Sequence, residues 1–424
     1  MRLFLFVAAC LAFAFQTVAQ TTREEVYADL DKAGGVYYAY PVTKADNTPP
    51  PPGYEPVYIS HFGRHGSRYL IDDADYQRVA DVLHRADSAR ALTPLGRQLM
   101  ADLDTLMLET LGRGGALTPL GVRQHKGIAR RMAENYPSVF AGDNKIDARS
   151  TLVVRCVLSM DAFCEGLKEF NPRLQVTREA TERQLASIRP GSAEADAFRR
   201  DTVMWRPMQN DFSRRMTHPE RLVKVVFSDP DYVAANVDQS GFLWGVYWLA
   251  ADAQNVETPI DFKKYLEPEE MFDIWQVTNA GFYGGHADFP GNKGVVIRES
   301  IPLLRDVVER ADAALAGGDT AADLRFAHDG NLVPFAALLG IEGASGREAN
   351  IDDFYKSWAS FQVSPMAGNI QLIFFRNPSR PDDVLVKVLH NEKEVRIPVP
   401  TDIFPYYRWA DFKRFYSTKY GIQL

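Results

Sequence analysis

Two arginines flank a histidine in the segment of this sequence that carries the clearest chemistry. Arg64, His65, Gly66 and Arg68 follow a short apolar run that predicts a β-strand ending at Ser60. Guanidinium groups offer planar forks of N–H donors to phosphate oxygens, and an imidazole held between two of them is placed to attack phosphorus. Gly66 lets the backbone approach a ligand closely because glycine has no Cβ. The pattern predicts a loop that binds and transfers a phosphoryl group.

The same segment resembles the Arg-His-Gly-X-Arg signature of the histidine acid phosphatases, a branch of the histidine phosphatase superfamily. That family includes phytases, acid phosphatases, glucose-1-phosphatases and multiple inositol polyphosphate phosphatases. It usually has proline two residues after the second arginine, where this chain has Leu70. The resemblance implies that His65 is the nucleophile and that Arg64 and Arg68 bind phosphate. Without the resemblance, the segment also fits a histidine in a turn beside solvated arginines.

A His-Asp pair supplies the second part of the predicted site. Residues 323–327 predict a strand, and a helix is predicted to begin near Asn331, so that its N-terminal amides would attract an anion. His328 could donate to a phosphoryl oxygen, and Asp329 could protonate the leaving alkoxide. The pair resembles the family's His-Asp element. The inositol polyphosphate phosphatase branch typically has His-Ala-Glu, so this form is closer to the phytase and acid phosphatase branches. A helix cap with a surface histidine is the alternative.

The resemblance also implies a third phosphate-binding arginine, in a loop that leads into a helix. The spacing to Ala-Phe at 162–163 matches Arg155 to that position. Arg149 is the weaker candidate and would support the loop. The alternative for Arg155 is an ion pair on a helix surface. Three guanidiniums would then surround one phosphoryl group and stabilise its transition-state charge.

No other histidine pattern predicts a catalytic or metal site. The segment from His286 to Asp288 resembles His-Ala-Glu superficially, but glycines and a proline surround it, so it predicts a loop without a catalytic role. The eight histidines show no His-Glu-X-X-His or Cys/His spacing suited to zinc, and we predict no metal and no cofactor. The arginines should lower the pKa of His65, whereas Asp329 must carry a proton, which favours acidic to near-neutral operation.

Composition limits the classes of partner. The chain has 424 residues, of which 46% are hydrophobic and 24% charged, and its formal charge is −7. An acidic protein is not a general binder of nucleic acid or of anionic membranes. We predict a small-molecule phosphomonoester as the partner, with no nucleic acid, no stable membrane span and no obligate protein partner.

The first residues predict an export signal. A basic residue, an apolar run over 3–15 and a small-residue Thr-Val-Ala site predict a signal peptide at 1–19 and a periplasmic or secreted protein. Acylation at Cys10 is the disfavoured alternative because that site lies too near the start. The exported chain keeps Cys156 and Cys164, eight residues apart on a helix-like segment. The rise between them, about 12 Å, is too long for a disulfide.

The alternation of strand and helix patterns predicts an α/β fold, with a central mostly parallel sheet flanked by helices and a smaller inserted helical cap. The resemblance implies a phosphoglycerate-mutase-like core. Residues 20–53 are interpreted as an N-terminal arm with a Pro-rich spacer. Residues 54–179 and 301–424 are assigned to the core, and residues 180–300 to the cap.

Several local elements can be placed more closely. Two helices should begin at Thr-Pro within the repeated Ala-Leu-Thr-Pro-Leu-Gly of 91–96 and 116–121, a repeat too short to indicate domain duplication. Ile370 to Phe375 predict a strand. Residues 384–389 and 395–399 alternate around Asn391-Glu392 and predict a hairpin.

The substrate is open at this level. Phytate or another inositol polyphosphate is the candidate, and a basic helix carrying Arg123, Lys126 and Arg130 could contact its other phosphates if that helix faces the cleft. A solvated helix face fits equally well. A broad-specificity or sugar-phosphate acid phosphatase is the alternative enzyme. A non-catalytic phosphate- or polyanion-binding protein is a further alternative, but it would not need both His65 and Asp329.

Overall fold

A mixed β-sheet forms the centre of the computed structural model, which describes residues 22–42 and 47–424. The predicted signal peptide and Cys10 lie outside these residues. The strands are β1 Glu55–Arg64, β2 Lys145–Ser150, β3 Gln175–Glu179, β4 Thr320–Ala327, β5 Asn369–Asn377, β6 Arg380–His390, β7 Lys393–Glu394 and β8 Tyr406–Arg408. Their order is β3-β2-β4-β1-β5-β6-β7, with β8 paired to β6.

The helices precede, connect and follow these strands. They are α1 Thr22–Ala28, α2 Asp73–Ser88, α3 Pro94–Thr110, α4 Pro119–Asn135, α5 Val154–Phe170, α6 Glu182–Ile188, α7 Ala193–Arg199, α8 Trp205–Met216, α9 Glu220–Val226, α10 Pro230–Asn236, α11 Gln239–Ala253, α12 Pro268–His286, α13 Val295–Arg298, α14 Ile301–Leu315, α15 Asp329–Leu339, α16 Phe354–Ser357, α17 Ser360–Val363 and α18 Trp409–Tyr420. Short 3₁₀ turns cover Leu30–Tyr37, Phe262–Tyr265, Pro290–Asn292 and Ile351–Asp353.

The sheet confirms the α/β class but is parallel in only one half. Strands β3, β2, β4 and β1 run parallel, whereas β5 joins β1 antiparallel and β6, β7 and β8 continue antiparallel. In the parallel half the carboxyl ends meet at one edge, where Arg64 pairs with Ala327 and Ser150 with Phe326. Loops that follow such strand ends converge. The catalytic segments predicted after β1 and β4 are therefore neighbours.

Both faces of the sheet are covered. Alternate side chains of β1 point to opposite faces: Ile59 packs with α4 and α5 residues such as Met132 and Phe163, whereas Phe62 packs with α14 and α15 residues such as Leu304 and Phe335. Each face thus buries an apolar core. β1 itself is buried from Tyr58 to Arg64, which holds the start of the catalytic loop rigidly.

A second, all-helical core is assembled from several segments of the chain. Residues from α2, α3, α9, α11 and α12 share one apolar cluster. The segment 22–37, part of the region interpreted as an N-terminal arm, joins the same cluster through Val26, Ala33 and Val36. Helices α2 and α3, assigned from the sequence to the α/β core, also pack there. A contiguous cap over 180–300 therefore describes this region incompletely, because burial and not chain order decides which helices meet.

The two copies of Ala-Leu-Thr-Pro-Leu-Gly have the same structural role at the start of a helix. In each, threonine caps a helix, and the glycine lies against another backbone. A Cβ on Gly121 would stand 2.4 Å from the Ser67 carbonyl oxygen, and one on Gly96 would stand 2.3 Å from that of Val226. Such distances are impossible for a side chain, so both positions require glycine. The second copy thereby seats α4 directly against the loop after β1.

The structure also bears on the predictions for the cysteines, the hairpin and a membrane span. Cys156 and Cys164 are free, as predicted, and both are buried. The hairpin turn lies at Asn391 and Glu392, both with positive φ, but its second strand covers only β7, and residues 395–399 form no strand. Within the described ranges, none of the helices combines the length and apolarity needed to cross a bilayer.

Candidate active site

The loop after β1 is fixed by backbone hydrogen bonds on both sides. The N–H of Arg64 donates to the Gly368 carbonyl at 2.8 Å, and the N–H of His65 donates to the Ala327 carbonyl at 3.0 Å. The Ala367 N–H donates back to the His65 carbonyl at 2.9 Å. His65 is therefore held between β4 and the turn before β5, as a group that must be pre-positioned for reaction would be.

Gly66 is needed for packing against protein. A Cβ at this position would lie 2.6 Å from the Gly121 carbonyl oxygen at the start of α4. The loop continues with Ser67, whose N–H donates to Gln124 Oε1 at 2.8 Å and whose hydroxyl donates to Asn255 Oδ1 at 2.7 Å. Close contact with α4, which the sequence did not indicate, explains the glycine as well as ligand approach would.

His65 has the tautomer that a nucleophile requires. Its Nδ1 lies 2.9 Å from the carbonyl of Gly66. A carbonyl can only accept, so the proton is on Nδ1 and the lone pair is on Nε2. Burial, and then the positive charges of the three arginines Arg64, Arg68 and Arg155, hold the pKa of His65 well below its usual range. The imidazole is therefore neutral, as nucleophilic attack demands.

Each of three guanidiniums beside His65 has an Nε–H group that lacks a hydrogen-bond acceptor. Arg64 and Arg68 are buried, and Arg155 is half-buried. Arg68 lies 4.5 Å above the Tyr37 ring and donates to the Tyr69 carbonyl, yet the Nε atoms of all three arginines have no hydrogen-bond partner in the structure. Buried donors are normally satisfied. This set fits an oxyanion that completes them, as phosphate would.

His328 and Asp329 follow the end of β4 and lie beside His65 and its arginines. Asp329 Oδ2 lies 2.8 Å from Arg64 Nη2, and its other oxygen accepts from the Gly330 N–H at 2.7 Å. The rings of His65 and His328 are 5.7 Å apart. Burial lowers the pKa of His328 to about 4, although Asp329 acts in the opposite direction. His328 is therefore a neutral hydrogen-bonding group.

The charge state of Asp329 depends on the arginines. Burial raises its pKa, but the attraction of Arg64 and Arg68 outweighs this, and the net pKa lies below the usual range. In the free protein Asp329 is a carboxylate. Any role as a proton donor needs a change in that environment.

A cavity of about 480 Å³ opens beside these groups. It is lined by Arg155, Arg189, Arg199, His286, His328 and Asp329, together with smaller residues. The sequence analysis did not single out Arg189 or Arg199. Arg189 precedes Pro190-Gly191, a turn signal, but nothing local shows that it faces a loop more than 100 residues earlier. In the described part of the chain, no group of three or more His, Cys, Asp or Glu is placed to hold a metal ion.

His286 was interpreted as a loop residue, and that interpretation is wrong. It is the last residue of α12, and its side chain lines the cavity. Gly284 and Gly285, which suggested a loop, lie inside the helix. Glycine is required at 284 because a Cβ there would stand 1.8 Å from the Trp205 ring. Tertiary packing outweighs the low helix propensity of glycine here. Asp288 lies outside the cavity lining and pairs with Arg347 at 3.4 Å.

The basic face of α4 does not line this cavity. Arg123 pairs with Glu257, Lys126 with two glutamates of α5, and Arg130 with Glu134. All three cations are neutralised on the surface, so the hypothesis that they bind substrate is not supported. Arg149 is also placed elsewhere, buried in ion pairs with Asp306 and Asp323 behind the sheet edge.

The family is shown by a match to the model of the histidine phosphatase superfamily (branch 2), which covers residues 64–391. The chain belongs to that superfamily branch and to its histidine acid phosphatases. The match begins at the first arginine of the catalytic loop and extends beyond the His-Asp pair.

Individual relatives share this architecture at low sequence identity. Multiple inositol polyphosphate phosphatase 1 of Gallus gallus is 24% identical over 393 residues, which cover 87% of this chain and 82% of that protein. The multiple inositol polyphosphate phosphatase of Bifidobacterium longum, solved with inositol hexasulfate, superposes with a TM-score of 0.78 at 18% identity, covering 93% of this chain and 100% of that one. The D. castellii phytase gives 0.66 at 14% identity, covering 96% and 90%.

Proposed function

We propose that this phosphatase hydrolyses phosphomonoesters through a phosphohistidine at His65. The observation that carries the proposal is the arrangement around that residue. A neutral imidazole with a free Nε2 stands beside three guanidiniums, two of them buried, whose Nε–H groups lack acceptors. A phosphate- or polyanion-binding protein could use the arginines but has no need for a nucleophile of this tautomer next to a carboxyl group.

The reaction follows from the positions of these groups. His65 Nε2 forms a bond to phosphorus while the bond from phosphorus to the ester oxygen breaks, and Asp329 gives its proton to that oxygen. Arg64, Arg68 and Arg155 hold the equatorial oxygens, and His328 donates a hydrogen bond to one of them. Water then attacks the phosphohistidine with Asp329 as base, which releases phosphate and restores both residues.

Substrate binding itself would prepare Asp329 for proton transfer. In the free protein its carboxylate pairs with Arg64 at 2.8 Å. A phosphate group that takes over Arg64 removes this stabilisation and adds negative charge, and both effects raise the pKa of Asp329. The acid is thus made where and when it is needed, which favours acidic to near-neutral operation.

Asp329→Asn tests the acid role directly. We expect kcat for phytate, whose leaving alkoxide needs a proton, to fall about 100-fold, and kcat for p-nitrophenyl phosphate to fall less than tenfold. Asp288→Asn, a nearby acid outside the cavity lining, is the control and should leave both rates unchanged. Steady-state kinetics at pH 5 measure this. Equal losses on both substrates would remove Asp329 from the acid role.

An inositol polyphosphate such as phytate is the proposed substrate, and the protein is proposed to be exported. The named relatives include multiple inositol polyphosphate phosphatases and a phytase. On the cavity wall formed by the helical region, Arg189 is exposed and has no ion-pair partner among the described residues. It lies near His328, whose pKa its charge helps to lower. A free cation beside the catalytic arginines suits a phosphate group other than the one being transferred.

Arg189→Ala should weaken the binding of polyphosphorylated substrates selectively. We expect KM for phytate to rise about tenfold, as the loss of one charge-assisted contact implies, with kcat/KM for p-nitrophenyl phosphate unchanged. Arg200→Ala is the matched control, because Arg200 is an exposed arginine of the same region that does not line the cavity. Unchanged KM for phytate in Arg189→Ala would contradict the subsite and favour the sugar-phosphate alternative.

The overall proposal is tested by phosphate release from phytate, glucose 1-phosphate and p-nitrophenyl phosphate between pH 4 and 7 with EDTA present. Release that survives EDTA supports a mechanism carried by the arginines. The order of kcat/KM among the three distinguishes an inositol polyphosphate phosphatase from a sugar-phosphate or broad-specificity enzyme. No release from any of them by folded protein would favour the non-catalytic binding protein.

A further inference from the structure

His286 stands over the first turn of α15, where the proposed acid lies. Its ring is half-buried at the end of α12 and lines the cavity together with Asp329. A Cβ on Gly330 would lie 3.4 Å from the His286 ring carbon Cε1, so the imidazole packs directly over the residue after Asp329. The proposed mechanism gives this histidine no task.

Neighbouring residues orient the ring. Arg199 Nη2 lies 3.5 Å from His286 Nδ1, and Arg199 is itself held by Glu299 and by the Gly285 carbonyl, which accepts from its Nε at 2.9 Å. A guanidinium can only donate, so Nδ1 accepts and the ring proton is on Nε2. Burial and Arg199 lower the pKa of His286 to about 4, against a smaller opposite effect of Asp329 and of the Gly330 carbonyl. The ring is a neutral donor.

The Nε2 atom of His286 is accessible from the cavity. The Gly330 carbonyl lies near enough to raise the pKa of the ring, but no described residue makes a hydrogen bond of 3.5 Å or less to Nε2, and this atom is not among the fully buried polar atoms that lack partners. It therefore retains access to the space beside Asp329. Since Asp329 is the acid for the leaving oxygen, a donor at this point meets the leaving group and not the transferred phosphoryl group.

The charge beside His286 determines whether a phosphate or a hydroxyl group of the substrate binds there. Arg199 is balanced by Glu299 and by Asp196 at 3.3 Å, so this side offers no net positive charge, in contrast to the side of Arg189. A second phosphate dianion gains little here, whereas a hydroxyl needs only one neutral donor.

We propose that His286 is a substrate-contacting residue whose Nε2–H donates to a hydroxyl oxygen of the leaving group next to the scissile ester, giving a preference for polyol phosphates. The proposal rests on the proposed phosphatase function. It adds a hydroxyl-recognition site to the arginine-lined phosphate site, within the same cavity.

Two monophosphates test it independently of polyphosphate binding. Glucose 1-phosphate has a hydroxyl beside the ester, and p-nitrophenyl phosphate has none. We expect His286→Ala to lower kcat/KM for glucose 1-phosphate about tenfold, the effect of one lost hydrogen bond, and to change that for p-nitrophenyl phosphate less than twofold. His286→Gln, which keeps an N–H donor, should recover activity to within threefold. His218→Ala, an exposed histidine of the helical region, is the matched control.

Phytate provides a second readout, because its partly dephosphorylated products carry hydroxyls. His286→Ala should accumulate these intermediates while the first phosphate leaves at the parent rate. Equal losses on both monophosphates, no loss on glucose 1-phosphate, or failure of His286→Gln to recover would each overturn the proposal. So would a parent protein that cleaves p-nitrophenyl phosphate but neither glucose 1-phosphate nor the phytate intermediates. A parent protein inactive on every substrate would instead overturn the phosphatase function.

Discussion

His65→Ala should lose turnover on every phosphomonoester, by a factor on the order of 10⁴ or more. The variant removes the atom that bonds to phosphorus, and no other described histidine can take its place. His328, the nearest imidazole, is 5.7 Å away between ring centres and lies near Thr151 and Cys156. Initial rates with p-nitrophenyl phosphate, the least demanding leaving group, measure the loss.

A trapping experiment separates this role from a structural one. Parent protein mixed with labelled substrate and quenched in alkali, where phosphohistidine survives, should retain label, and His65→Ala should retain none. Inorganic phosphate should still bind the variant, because the arginines do not depend on the imidazole. His84→Ala, a half-exposed histidine on α2, should behave as the parent. Label retained by His65→Ala would move the nucleophile to another residue.

The second large effect concerns stability in acid. His61 on β1 and His125 on α4 are buried, and neither ring nitrogen of either has a hydrogen-bond partner. They pack against the rings of Phe163 and Phe326. Burial lowers the pKa of each to about 3, whereas a histidine in the unfolded chain has an ordinary value near ~6.5.

The sign follows from which state takes up protons. Below pH ~6.5 the unfolded chain protonates these two histidines and the folded protein does not, so acid favours unfolding until the pH approaches the folded-state values. From pH 7.5 to pH 5 each should cost about 2 kcal/mol of unfolding free energy. Two such losses are a large part of the stability of ordinary domains, ~5–15 kcal/mol. The fold therefore limits operation at low pH, whereas the proposed protonation of Asp329 favours it.

His125→Leu should remove one of these losses. Leucine fills a similar apolar space in a helix. When the pH falls from 7.5 to 5, the difference in unfolding free energy between variant and parent should therefore shift by about 2 kcal/mol in favour of the variant. Urea unfolding at several pH values measures this. Comparing variant with parent cancels other groups, including buried Asp252, whose pKa burial raises to about 7 and which acts in the opposite direction. His84→Leu is the surface control. A constant difference across pH would disprove the assignment.

The sequence was most informative where function lies in consecutive residues. Arg64, His65 and Arg68 lie together at the end of β1, and His328 and Asp329 lie together between β4 and α15, so local spacing was sufficient to predict both segments. The strand before each loop was predicted as well, and parallel strand ends must meet at one edge of a sheet. Their convergence therefore needed only the topology, which the structure provides.

The sequence was less informative where the orientation of a helix or the identity of a packing partner decides the outcome. The basic residues on α4 were compatible with a cleft or with solvent, and glutamates from α5 and from the chain near 257 neutralise them. Gly284-Gly285 indicated a loop, but the Trp205 ring packs where a Gly284 side chain would stand, and the helix continues to His286. Neither the glutamates nor the tryptophan is close in sequence to the residues that they affect.

By itself, then, the sequence determined which residues are proposed to act: a nucleophile, an acid and most of the cations for a phosphoryl group, each recognisable because its neighbours in the chain are also its neighbours in space. The tertiary structure decided what else faces that chemistry. Arg189, Arg199 and His286 come from the ends of three helices spread over nearly 100 residues, and the packing of those helices directs their side chains into one cavity. Side-chain direction depends on the burial of whole helices, and local spacing carries no record of it.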